Sequence, residues 1–276
     1  MSQGFLLFAH NNEHINYGEL AVWCARRLNH YYNRPVSLVC DSNTLQSIES
    51  IKSSHFDKII LSEVTTSQLK RYHDKLYSFN NLDRTDAFEI TPYDETIIID
   101  TDIAIQSSVM NCLWNSVHDF VVCADSLHVF SKKIEEFKYL SRYSSRFFWA
   151  TQFYFRKTEQ TKLFFDTCKY VKENYWWYAQ LYDFDSNLVR NDYLWSIALD
   201  LMGGSANSSW CATMPWKLFY ATDDEQLFDL TEDKIILGNT NTVRSKEVCV
   251  IRNKDVHLMN KNQLIYFVKK ELGLNP

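Results

Sequence analysis

The sequence predicts an α/β fold in which a mostly parallel central sheet is flanked by helices. Short β-branched or aromatic runs recur along the chain with helical patterns between them, the alternation that a parallel sheet with covering helices requires. One of these runs, Thr96-Ile97-Ile98-Ile99, is apolar or β-branched throughout, as expected of a strand buried on both faces. No Pro/Gly/Ser-rich stretch divides the 276 residues, so the chain reads as one domain with no visible linker.

In order, residues 5–9 (Phe-Leu-Leu-Phe-Ala) form the first strand and residues 17–30 the first helix. Strands follow at 36–40 and 58–61, with a helix at 43–50 between them. Further strands are expected at 96–100, 120–123 and 151–155, then helices at 159–174 and 191–201. The last of these is the best bounded: Asn191 can cap its first turn, Asp192 suits the positive end of its dipole, and Gly203-Gly204 stops it. A late edge strand at 248–251 and a helix at 262–272 complete the pattern. No internal repeat or low-complexity tract is present.

Charge, cysteine content and hydropathy exclude several classes. The net charge of −5 argues against indiscriminate nucleic-acid binding, which draws on Lys and Arg contacts to phosphate. Seven widely spaced cysteines with no CxxC pair read as buried free thiols, against a disulfide framework or a zinc site. The N-terminal apolar run has no basic segment before it and stops after a few residues, so it is a strand and not a signal peptide. No stretch approaches the ~20 apolar residues that cross a bilayer, so no membrane partner is expected and a cytoplasmic location is. No Walker loop, GxGxxG sequence or nucleophile elbow is found.

The chemistry concentrates where the segment Glu95-Thr96-Ile97-Ile98-Ile99-Asp100-Thr101-Asp102 runs into two acids. Ligands gather at the carboxyl ends of strands in open α/β sheets. In extended backbone residues i and i+2 point the same way, so Asp100 and Asp102 can present oxygen ligands to one Mg²⁺ or Mn²⁺. A bare Asp-X-Asp often only ends a strand in solvent. Here Ile103-Ala104-Ile105 follows, and two carboxylates between apolar runs need a counter-ion.

These residues resemble the GT-A glycosyltransferases, in particular the branch related to glycogenin and the bacterial lipooligosaccharide galactosyltransferases, and more closely a set of phage-encoded members. The resemblance is carried by Phe8-Ala9-His10-Asn11-Asn12 with Tyr17-Gly18-Glu19, by Arg84-Thr85-Asp86-Ala87, by the acid pair, by Trp149-Ala150-Thr151-Gln152, and by Arg190-Asn191-Asp192-Tyr193. It implies a GT-A fold, with residues 1–105 as the nucleotide-sugar and metal half and 106–276 as the acceptor half. It also implies a UDP-sugar donor bound by Ala9, His10, Asn11, Asn12, Tyr17, Arg84, Asp86, Asp100, Thr101 and Lys261. On residue type alone, the 9–12 segment is equally an ordinary strand-to-helix turn, and Arg84 and Asp86 equally a surface pair.

By the same resemblance His257 would be a third metal ligand and Lys261 would meet the phosphates, although the usual glycine and tryptophan of that motif are absent. A lone histidine in such a segment also reads as a satisfied core residue. Asp192, with Asn191 beside it, falls where such enzymes place a polar group facing the anomeric carbon, and it reads equally as a helix-dipole acid.

Between residues 131 and 157 seven basic residues stand against two acidic ones, interleaved with aromatics. Lys138, Arg142, Arg146 and Trp149 are the candidate acceptor contacts, and Tyr175-Trp176-Trp177-Tyr178 adds a second aromatic cluster. Cations with stacking rings suit a polyanion with exposed bases. With the phage resemblance this implies hydroxy- or hydroxymethylcytosine in duplex DNA as acceptor, flipped from the stack. The donor sugar is a hexose or a pentose such as arabinose. A carbohydrate or lipopolysaccharide acceptor, and a non-catalytic sugar-nucleotide-binding module, are the alternatives.

Overall fold

Strand segments rich in Ile, Val, Leu and Phe assemble, as the sequence predicts, into a mostly parallel central sheet, which has seven strands. The computed structural model describes all residues except 52–53, 63–67, 73–74, 80–81, 133–136, 143, 185–187, 204–207, 240–246 and 276. Its strands are β1 (Gln3–Ala9), β2 (Val36–Cys40), β3 (Lys58–Leu61), β4 (Gln68–Tyr72), β5 (Lys75–Phe79), β6 (Glu95–Ile99), β7 (Ile103–Ala104), β8 (Phe120–Cys123), β9 (Ser126–His128), β10 (Trp149–Arg156), β11 (Cys211–Thr213), β12 (Leu218–Ala221), β13 (Glu225–Leu230), β14 (Ile235–Asn239), β15 (Glu247–Ile251) and β16 (Val256–Leu258). The α-helices are α1 (Tyr17–Tyr31), α2 (Ser42–Ser47), α3 (Ala87–Ile90), α4 (Glu159–Glu173), α5 (Tyr175–Leu181), α6 (Asn191–Gly203) and α7 (Lys261–Leu272).

The central sheet has the order β11-β8-β10-β6-β1-β2-β3. All its neighbouring pairs are parallel except the two that involve β10. The chain leaves β1 toward β2 and β3, then returns to place β6 on the other side of β1. Strand order therefore reverses between β1 and β6, and the crevice beyond their carboxyl ends is where an α/β sheet binds ligands. Register puts Leu7 opposite Ile99, so the loops that begin at His10 and Asp100 emerge side by side. Because β10 runs the other way, with Gln152 opposite Ile99, its first residues Trp149, Ala150 and Thr151 lie at this same end.

A second sheet, β7-β16-β12-β9, abuts the crevice. Antiparallel pairing of His257 with Ile103 carries β16 directly past the loop that bears Asp100 and Asp102, and the Leu258 N–H donates to the Asp102 carbonyl at 3.0 Å. Strands β13, β14 and β15 form a third sheet with β15 at its edge. Helix α6 buries Tyr193, Leu194, Trp195, Ile197, Ala198 and Leu199, and Trp195 meets Phe153 of β10 with ring centroids 5.5 Å apart. Among the described residues no helix is long and apolar enough to cross a membrane.

Several sequence expectations change in detail. Helix α2 ends at Ser47 and not at residue 50, and the Asp41 side chain caps it on Thr44 N–H. Asn191 is the first residue of α6 and not its cap, while Asp192 turns its carboxylate onto another strand. Residue 204 of the expected stop lies outside the described residues. Strands of two or three residues such as β7, β9, β11 and β16 have no room for a visible periodicity, which is why the sequence did not announce them. Five of the cysteines are buried, but Cys112 is exposed and Cys249 partly so.

Gly4 fixes how closely the chain packs beside the central strand. A Cβ there would come within 2.4–2.7 Å of the Tyr93 ring, whose hydroxyl shares a 2.6 Å hydrogen bond with Ser37 Oγ. Gly4→Ala is therefore expected to lower stability by about 1–3 kcal/mol, the usual range for overpacking a filled core. Thermal denaturation of the variant checks this.

Candidate functional site

The crevice at the carboxyl ends of β1 and β6 is a cleft of about 470 Å³. Segments distant in sequence converge on it, among them the 8–17 turn, Arg84, the 100–102 loop, the start of β10, the 188–192 approach to α6, and the 257–262 entry to α7. Asp100, Asp102 and His257 stand at its centre and offer three ligand atoms that all lie within 4.8 Å of one another. Two carboxylates and one imidazole form a chemically sound donor set for a divalent ion. His257 Nδ1 is buried with no protein partner, and its Nε2 is 3.3 Å from Asp102 Oδ2.

Each acid has its own cation. The Arg84 guanidinium is ion-paired to Asp100 Oδ1 and also donates to the Ala150 carbonyl at 3.0 Å. Lys261 Nζ lies 2.7 Å from Asp102 Oδ2. Burial alone would raise the Asp102 carboxyl, but the Lys261 and His257 groups beside it outweigh that and hold it well below the usual carboxylate range. The Lys261 ammonium is correspondingly held above its ordinary value, since Asp102 outweighs burial. Burial pulls Arg84 down to about 10, which still leaves it charged at neutral pH.

Asp192 forms a second carboxylate centre in the same cleft. The Ala150 N–H donates to its Oδ1 at 2.8 Å, and Arg190 reaches its Oδ2 at 2.9 Å. Ala150 thus bridges the two centres, with its N–H on Asp192 and its C=O on Arg84. Asn191 is buried beside Asp192 and lines the cleft.

On the N-terminal side His10, Asn12 and Tyr17 line the cleft together with Ser78 of β5. Asn12 Oδ1 accepts from the His14 and Ile15 N–H groups while its Nδ2 donates to Ser78 O at 3.1 Å, so this side chain shapes the turn as well as facing the cavity. His10 Nε2 is 3.4 Å from Ser62 O. Thr101 also lines the cleft. Ala9 and Asn11 are not among the lining residues: Ala9 is buried within β1, and Asn11 ties the turn to the helices through Thr44 Oγ1, Ser47 Oγ and the Gly18 N–H. Asp86 sits away from the cleft in an ion pair with Lys169 at 2.9 Å.

The basic segment divides. Trp149 is buried and lines the cleft with Phe137. Lys138 and Arg142 are exposed, and Arg146 is held on Asp125 at 2.7 Å beside the Phe148 ring; none of the three lines the cleft. Arg156 closes the far end of β10, paired with Asp119 at 3.3 Å. In the aromatic cluster of α5, Tyr175 and Tyr178 are buried and Trp176 and Trp177 are exposed.

Residues that the sequence reading did not single out complete the wall: Arg190, Asp223, Met259 and Asn262. Arg190 had a signal, its place two residues before Asp192. Asp223 lies in a turn held by Glu225, whose Oε2 accepts from the Thr222 N–H at 2.7 Å and meets the buried His128 Nε2 at 3.1 Å. No local pattern in the sequence marks it.

No family model and no curated protein matches the sequence. Among solved structures the chain is similar to an active-site mutant of LgtC, at 14% identity and a TM-score of 0.49, covering 80% of this chain and 76% of that one. It is similar also to the glycosyltransferase GlyE of Streptococcus pneumoniae TIGR4, at 10% identity and a TM-score of 0.46, covering 78% of this chain and 46% of that one. Mouse xyloside xylosyltransferase 1 is similar at 9% identity and a TM-score of 0.46, covering 74% of this chain and 82% of that one. Similarities this distant carry no conclusion about activity, which rests on the residues of the cleft.

Proposed function

We propose that the chain is a glycosyltransferase that takes its sugar from a nucleoside diphosphate donor, with Asp100, Asp102 and His257 holding a divalent cation. The observation that carries this reading is the gathering of those three ligand atoms within 4.8 Å, in a cleft where Arg84 and Lys261 stand on the acids. The imidazole among the carboxylates tilts the set from magnesium toward manganese. When bound, the ion stabilises the negative charge that builds on the departing diphosphate.

The protein's own groups divide the remaining work. Lys261 and Arg84 bring positive charge to the diphosphate, and Arg84, buried and doubly anchored, keeps Asp100 aimed at the cleft. Tyr17, His10 and Asn12 form a wall of aromatic and amide groups suited to a nucleoside, and UDP is the donor nucleotide we favour. Asp192 has both oxygens engaged, by the Ala150 N–H and by Arg190, so its carboxylate is held in one orientation. A carboxylate held in this way orients an acceptor hydroxyl and faces positive charge developing on the sugar.

For the acceptor we favour hydroxy- or hydroxymethylcytosine in duplex DNA, because Phe137 at the cleft wall is followed in the chain by exposed Lys138 and Arg142. A glycan acceptor is the second reading, favoured by Trp149 and by the polar pair Arg190 and Asp192 at the same wall. The test is release of nucleoside diphosphate from a panel of nucleotide sugars with manganese, with and without modified DNA or oligosaccharides. Release stimulated by DNA establishes the first acceptor, and stimulation by a glycan alone the second. No manganese-dependent release from any donor contradicts the proposal.

A further inference from the structure

We infer that Lys261 is the resident counter-ion of the metal site: with no ligand bound its ammonium neutralises Asp102, and it passes to the donor diphosphate when the metal enters, so that metal and donor bind as a coupled pair. This rests on the glycosyl-transfer reading above and adds a device within it.

Lys261 Nζ and His257 Nε2 converge on a single oxygen, Asp102 Oδ2, at 2.7 and 3.3 Å. The Asp102 carboxylate is also one of the three candidate metal-ligating groups. A divalent ion and an ammonium held at one carboxylate repel each other, so the arrival of either weakens the hold on the other. Arg84 cannot play this part, since its guanidinium is buried and fastened to the Ala150 carbonyl as well. Lys261 can, because its side chain is 29% exposed and its charge rides on a flexible four-carbon stem.

The placement of Lys261 in the fold supports the same reading. It is the first residue of α7, after the Asn260 cap, where the helix dipole disfavours a cation. Asp102 offsets that cost in the donor-free state, and a diphosphate offsets it when bound. Asp223, which lines the cleft, also acts on the Lys261 ammonium. An ammonium released from Asp102 therefore stays within the cleft. Reciprocity then requires that whatever draws Lys261 away from Asp102 tightens the metal, and that the metal tightens it in turn.

One substitution should move the two affinities in opposite directions. Manganese binding is followed by electron paramagnetic resonance of the free ion, and nucleoside diphosphate binding by calorimetry at saturating manganese. Lys261→Met is expected to bind manganese about tenfold more tightly than the wild type when no nucleotide is present, and to bind UDP about tenfold more weakly. Lys261→Arg, which keeps the charge, should retain the wild-type manganese affinity. Damage to the fold would weaken both ligands together. An unchanged or weaker manganese affinity in Lys261→Met overturns the counter-ion role while leaving the metal site standing, provided Asp102→Asn abolishes binding. Manganese binding absent from the wild type, or equal in Asp102→Asn, overturns the metal-site reading and the inference with it.

Discussion

Asp102→Asn is expected to lower kcat/KM for sugar transfer by at least about 10²–10³-fold, the scale of losing a principal electrostatic group in the transition state. The structure buries Asp102 at 3% exposure under Lys261 and His257. Asparagine keeps the shape and one acceptor oxygen for Lys261, so the fold should survive although the charge is gone. The carboxyl of Asp102 is held well below the usual range, so its stabilising interaction is complete above a pH of about 4, the unfolded value, and lost only as pH falls through the depressed folded value. Loss of activity near neutral pH in the wild type would therefore have another origin. Steady-state kinetics with circular dichroism on the same preparation checks both parts; an active Asp102→Asn enzyme would remove the acid pair from the mechanism.

The second large effect falls on Arg84, and it is first an effect on stability. Removing one partner of a buried ion pair leaves the other uncompensated, at about 3–5 kcal/mol. Arg84→Met strips Asp100 of its guanidinium and leaves the Ala150 carbonyl without that donor. Asp100 faces the cleft and keeps 18% of its side-chain surface, so we expect the lower part of that range. Manganese should return part of the loss by supplying the missing positive charge, about 2.7 kcal/mol at a hundred times its dissociation constant if the ion binds only the folded chain. Thermal unfolding with and without manganese measures this. Manganese is expected to raise the Tm of Arg84→Met more than that of the wild type; an equal rise in both would separate Arg84 from the proposed metal acids.

How much of this could be read beforehand follows from the range of each signal. The strands at 36–40, 58–61 and 120–123 are found where expected because each is a short run dominated by apolar or β-branched residues. The acid pair was legible for the same reason, as an abrupt break at the end of such a run. Contacts made between elements were not. Asp86 lies two residues from Arg84 in sequence, yet it pairs with Lys169 of α4 while Arg84 turns inward to Asp100.

The cluster of positive charge in 131–157 shows the limit most clearly. Trp149 and Arg156 open and close one strand, and seven steps of about 3.3 Å separate them by about 23 Å. One reaches the cleft and the other anchors the opposite end of the sheet. Linear charge density cannot reveal such a division, because it depends on β10 running antiparallel to both its neighbours. The C-terminal part of the chain supplies Asp223, His257, Met259, Lys261 and Asn262 to the cleft. Their convergence depends on the pairing of β16 with β7, a strand of two residues.

The most direct test of the central claim is an anomalous diffraction map, recorded at the manganese edge, from crystals grown with manganese and UDP. One strong peak is expected among Asp100, Asp102 and His257, with the diphosphate beside it and Lys261 turned from Asp102 toward the phosphates. A peak elsewhere, or none in that cleft while UDP is bound, would contradict it.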